Sequence, residues 1–176
     1  MPILPTERDP RLITVRRGGT LSDEHHVLLA RWALLCAEHV LPLFERARPD
    51  DPRPRDAIAV GHAWTRGEAT MREAHSTAFV ANAAARGLPD AAKFAALAAG
   101  QAVAVAHVAA HDLGAAAYAI RSASAAAPAG EGEAARVREL AWQREHVPAQ
   151  LRDLVLDDQR RRNDLCWGVF SDPAAR

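Results

Sequence analysis

The stretch PDAAKFAALAAGQAVAVAHVAAHDLGAAAYAIRSASAA, residues 89–126, decides the fold. It opens on Pro89-Asp90, contains no second proline and is nearly half alanine. Alanine is the strongest helix former, because it has no side-chain entropy to lose. One unbroken helix here would run roughly 55 Å at 1.5 Å per residue. A domain of this chain length is only about 40 Å across. The stretch therefore folds as two helices, and a break is expected near Leu113-Gly114.

The rest of the chain extends the same reading. Of 176 residues 40 are alanine, aromatic residues reach only 5%, and 49% of the chain is apolar. That is core enough for one all-α domain, a single bundle of about six or seven helices. Residues 1–19 read as an irregular arm, 20–170 as the helical domain and 171–176 as a frayed tail. Ser22-Asp23-Glu24 caps a first helix whose apolar face is expected at Leu28, Trp32, Leu35, Cys36, His39 and Leu43, with its last turn bent at Pro42. Helices are expected over about 56–66, 70–86, 133–146 and 149–164. The connector Arg48–Arg55 is too rich in proline for a helix to cross it.

Lys+Arg and Asp+Glu both count 22, so the formal net charge is zero. No whole-molecule field draws the chain to nucleic acid or to an anionic membrane, and neither partner is expected. Residues 1–10 have no apolar signal core, and the run Phe94–Ala110 is too short and too weakly apolar for a span. Cys36 and Cys166 both lie among apolar residues and read as buried reduced thiols. A cytoplasmic protein is expected.

Histidine supplies the sharpest local pattern. His107 and His111, four residues apart, would share one face of a continuous helix and could place two imidazoles on a divalent transition metal. A third ligand would come from His39 or His75, with Asp112 or Asp158 completing the shell. No glutamate follows His107, so the metalloprotease motif is absent. That metal site is the alternative; the main reading is a pair of structural histidines hydrogen-bonded within a tight helix pair, and no cofactor is expected. His25-His26 reads as solvated surface.

The run Asp157–Asp164 places carboxylates three and four residues before Arg160, Arg161 and Arg162. Asp158 falls on the apolar stripe of its helix and needs a buried partner, so an internal Arg–Asp network is expected. Arg53 and Arg55 stand at a helix entrance, where they could grip a carboxylate. No phosphate loop, dinucleotide fingerprint, nucleophile elbow or paired-cysteine motif is present.

Several strings taken together resemble one bacterial family. They are Arg17–Glu24, then Trp32 with Cys36–Leu41, Asp51–Ile58 followed by Ala63-Trp64 and Arg66–Glu68, Ala99–His107 with His111, and Leu154–Asn163 through Trp167. The set is similar to the Imm-five-like putative immunity proteins of polymorphic toxin systems, with a departure from the pattern over Glu73–Val80. The resemblance implies an all-helical fold and a non-catalytic role: binding a cognate protein toxin and neutralising it by occlusion. It carries no catalytic residue onto this chain. Aromatic and arginine anchors dominate protein interfaces, which makes Arg53, Arg55, Trp64, Arg160, Arg161 and Arg162 the expected partner-binding residues. The alternative from another class is a metal-dependent enzyme built on His107 and His111.

Overall fold

A computed structural model describes residues 4–173; the first three residues of the arm and the last three of the tail lie outside the described residues. Seven α-helices follow the arm: α1 (Asp23–Ala47), α2 (Arg53–Thr65), α3 (Met71–Ala84), α4 (Asp90–Ala104), α5 (Asp112–Ala126), α6 (Gly132–Glu145) and α7 (Arg152–Arg161). Among the described residues there is no strand, only one isolated bridge from Thr14 to Leu21. The fold is the expected all-α bundle.

The long alanine-rich stretch does divide in two, but earlier than expected. Helix α4 ends at Ala104, Val108 is extended, and a 3₁₀ turn over Ala109–His111 leads into α5. Leu113 and Gly114 lie inside α5. The two halves fold back on each other and, with α1, form the centre of the bundle. Small residues make this close approach possible. A Cβ at Gly61 of α2 would stand 2.5 Å from a Leu34 methyl of α1, and Leu34 is fully buried.

Helix α1 has neighbours on several sides, α2, α4 and α5 among them. Its burial is accordingly wider than one stripe. Leu29, Ala33, Leu34, Ala37 and Phe44 are all fully buried, whereas Leu28, Leu35 and Leu43 are only partly so and His39 is exposed. The helix passes through Pro42 to Ala47. Helix α1 is long and apolar enough to cross a membrane by length and composition, with a mean hydropathy of 1.6 over 18 residues. More than half of that window is buried inside the bundle, as a central helix requires.

Helix α3 is attached differently. It packs on α2 and α4 through Ala74, Ala78 and Ala81, in a satellite cluster completed by Ala57, Val103, Ala104 and Ala106. Alanine buries little area per residue, so α3 sits close to the bundle with a thin apolar seam. Its start is well fixed: Thr70 Oγ1 accepts from the Glu73 N–H at 3.2 Å, and the Glu73 carboxylate accepts from the Thr70 N–H at 2.7 Å. At the far end of the chain Cys166, Val169 and Phe170 dock back into the core. Both cysteines are free and buried.

Candidate functional site

The break between α4 and α5 frees backbone carbonyls, those of Val105 and Ala110 in the interior, where each needs a donor, and that of His107 at the surface. Three side chains from three separate parts of the chain supply them. His26 of α1 donates through Nε2 to the Val105 carbonyl at 2.7 Å. Arg17 of the arm reaches the His107 carbonyl at 3.3 Å, and Arg162, just beyond α7, reaches that of Ala110 at 2.7 Å. His26 is therefore buried, not the solvated residue expected from its place beside acids. Burial holds its imidazole below the ordinary value, against the pull of the Val105 carbonyl.

The break also separates the two histidines. His107 leaves α4 in a turn and lies 4.3 Å, ring to ring, from His75 of α3. His111 sits just ahead of α5, with Nδ1 2.7 Å from the Gln101 side-chain oxygen. The expected one-face pair required a continuous helix, and the turn removes that premise. His39, the other expected ligand, stacks on Trp142 at 3.7 Å and meets Glu139 at 2.8 Å. Among the described residues no group of three or more His, Cys, Asp or Glu is arranged to hold a metal ion. Burial lowers His111 to about 4, and burial followed by His75 lowers His107.

Beside the break, the arm leaves a cleft of about 240 Å³. Its walls include Arg8 and Arg17 of the arm, His26, Trp64 of α2, Met71 of α3 and His107. Trp64 stands edge-on to His26, with ring centroids 5.0 Å apart. Arg16 and Asp23 at the rim pair with each other at 2.5 Å. Arg8 and Arg17 are exposed and make no ion pair among the described residues. From the cleft an apolar strip continues along α3: Met71, His75 and Phe79 follow at four-residue steps, and Phe79 meets the His75 ring at 5.1 Å. Phe79 is 63% exposed and Val80 47%.

The arginines expected to bind a partner fall in two classes. Arg53 is held by Asp51 at 2.5 Å and Arg55 by Glu45, both near the surface. Arg160 and Arg161 are exposed and share Asp157, at 3.1 and 2.8 Å. Arg162 is a correction, since its side chain is only 4% exposed and spans Asp158 and Asp112. It cannot meet a partner without unfolding its surroundings. The internal network expected at Asp158 is thus present, with Asp112 as an additional member; burial, foremost, pushes the Asp112 carboxyl up. Arg11 joins the surface part of the network, 2.7 Å from Asp157, and its hydrogen bond is the first cause that lowers Asp157 to about 2.

On sequence spacing Met71 and Phe79 share a stripe of α3 with Ala74, His75, Ala78 and Asn82, but only Ala74 and Ala78 of that stripe are buried and Met71 and Phe79 are exposed; neither these two nor Arg8, Arg17 and Val80 were expected at a partner surface. Phe79-Val80 carried a usable signal, because two large apolar neighbours on a helix point about 100° apart and a narrow buried seam cannot cover both. The arm offered none, since its path depends on the break it covers.

These features define a class: an all-helical bundle with an exposed apolar strip on α3 and an arginine-lined cleft beside the break between α4 and α5. Within that class the chain belongs to the Imm-5 like putative immunity protein family, whose sequence profile matches residues 19–150. No curated protein and no solved structure matches it.

Proposed function

We propose that this protein neutralises a cognate bacterial toxin in the cytoplasm of the producing cell, by binding the toxin and occluding its active site. The family match over residues 19–150 carries the reading. It is supported by the exposed apolar residues on α3, which run from the cleft wall at Met71, and by the cleft arginines Arg8 and Arg17, which have no carboxylate partner among the described residues. Such a surface suits a partner better than water, because an exposed aromatic anchor and a guanidinium are the usual sources of interface energy. A stable complex would cover about 800 Å² on this chain. Trp64 contributes from the cleft wall, while Arg53, Arg55, Arg160 and Arg161, each paired with a neighbouring carboxylate outside that cleft, remain candidates for further contacts.

Occlusion needs no reacting group on this chain. It needs a surface already in its bound shape, and a surface fixed by the helices limits the ordering cost of association. The test is to add the purified protein in excess to each toxin domain of the host. The expected outcome is loss of one toxin's activity. Full activity of every toxin domain in the presence of excess protein overturns the reading.

A further inference from the structure

Resting on that reading, the geometry points to the cleft between the arm and α3 as the seat of an acidic segment of the partner protein, with a carboxylate between Arg8 and Arg17 and an adjoining aromatic or aliphatic side chain on the Met71–His75–Phe79 strip. The charge balance of the cleft carries this. Its lining holds three arginines and one carboxylate. Asp23 is already taken by Arg16, which leaves Arg8 and Arg17 without a counter-charge among the described residues. Arg17 spends one N–H on the His107 carbonyl and keeps the rest of its fork. A carboxylate entering here would meet guanidinium groups at the mouth of a small cavity, where charge-assisted hydrogen bonds are strong.

The neighbouring strip selects the kind of acid. Phe79 and Val80 stand in water beside a half-buried His75. A free anion would satisfy the two arginines and leave that strip wet. Two uncommitted arginines would neutralise few phosphates of a nucleic acid. A protein segment in which Asp or Glu is followed, within one helical turn, by a large apolar residue uses both features at once. Glu73, the acid nearest on α3, is occupied by the Thr70 cap and does not compete for the arginines.

The experiment compares wild type with R8A/R17A, with F79S, with all three substitutions, and with R138A on the exposed face of α6, each checked for an unchanged melting temperature. Fluorescence anisotropy measures the affinity of each for a toxin domain that wild type neutralises. The expected result is a rise in Kd of at least about tenfold for R8A/R17A and again for F79S, a larger rise for the triple variant, and none for R138A. Unchanged affinity in the triple variant overturns the proposal and leaves the immunity reading standing. If no toxin is neutralised, that reading fails, and the cleft is tested with random twelve-residue peptides displayed on phage. Selection of acidic-apolar peptides that lose binding to R8A/R17A and to F79S supports the proposal. Basic or cleft-independent binders, complete displacement by inorganic phosphate, or a dimer in solution that the F79S change dissociates each overturn it.

Discussion

Arg162 brings a charged fork into a place with almost no water, and the surroundings are built to hold it. Asp158 accepts from Nε at 2.7 Å, Asp112 and the Ala110 carbonyl take further N–H groups, and the arginine thereby ties α7 to the start of α5. Removing one partner of a buried pair leaves the other charge without compensation, which costs about 3–5 kcal/mol. Arg162→Met should lower unfolding stability by that order in a urea titration, while Arg161→Ala, at an exposed pair, should change it by less than about 1 kcal/mol. Equal, small effects would contradict the assignment. The i, i+4 spacing of Asp158 and Arg162 made half of this network legible in the sequence. Asp112 was not legible as its partner, because a contact across some fifty residues leaves no local pattern. His111 gives a second prediction at this scale. The folded group titrates near 4, below the ordinary 6.5, so the unfolded chain takes up its proton first. Stability is then lost as pH falls from about 6.5 toward 4. Asp112, raised by burial, acts in the opposite sense as pH falls, so the informative quantity is the difference between two curves. Relative to wild type, His111→Gln should gain at least about 5 °C in melting temperature between pH 6.5 and pH 4. Parallel curves would contradict it.

At the scale of elements, the existence of a break in residues 89–126 followed from length alone, but its position did not. Carbonyls freed at Val105, His107 and Ala110 are capped by His26, Arg17 and Arg162, three residues distant in sequence. Local propensity favours helix through the whole region; the buried carbonyls left at the break are met by His26 of α1 and by Arg162 beyond α7, and the exposed one by Arg17 of the arm. The same dependence explains why His107 and His111 look like a helical pair in the sequence and are not one in the fold. Helix α3 offers the reverse case, in which a local signal suffices. Its capping box closes two backbone and side-chain bonds between Thr70 and Glu73 at an exposed site, with no core contact to confuse the measurement. Thr70→Ala should cost about 1 kcal/mol, a fall of roughly 2–4 °C in melting temperature. No change would show that α3 is positioned by its alanine seam alone.

For the whole molecule, composition and the capping signals were enough to read an all-helical bundle, because an alanine-rich chain has few other ways to bury its apolar surface. The binding face was less legible for a physical reason. Phe79 and Val80 are exposed, Arg8 makes no ion pair among the described residues, and Arg17 meets the His107 carbonyl ninety residues away, so no local pairing in the sequence marks any of them as a partner contact. Arg160, Arg161 and Arg162 were conspicuous through the carboxylates three and four residues before them, and those carboxylates engage them in the fold, Arg160 and Arg161 with Asp157 and Arg162 with Asp158. A binder differs from a catalyst in one respect that a single titration resolves. Toxin activity is measured against increasing purified protein, with the toxin held well above the dissociation constant. Activity should fall linearly and vanish near one equivalent, as a binder that occludes the toxin requires. Full loss at a small fraction of an equivalent, or none in excess, would contradict it.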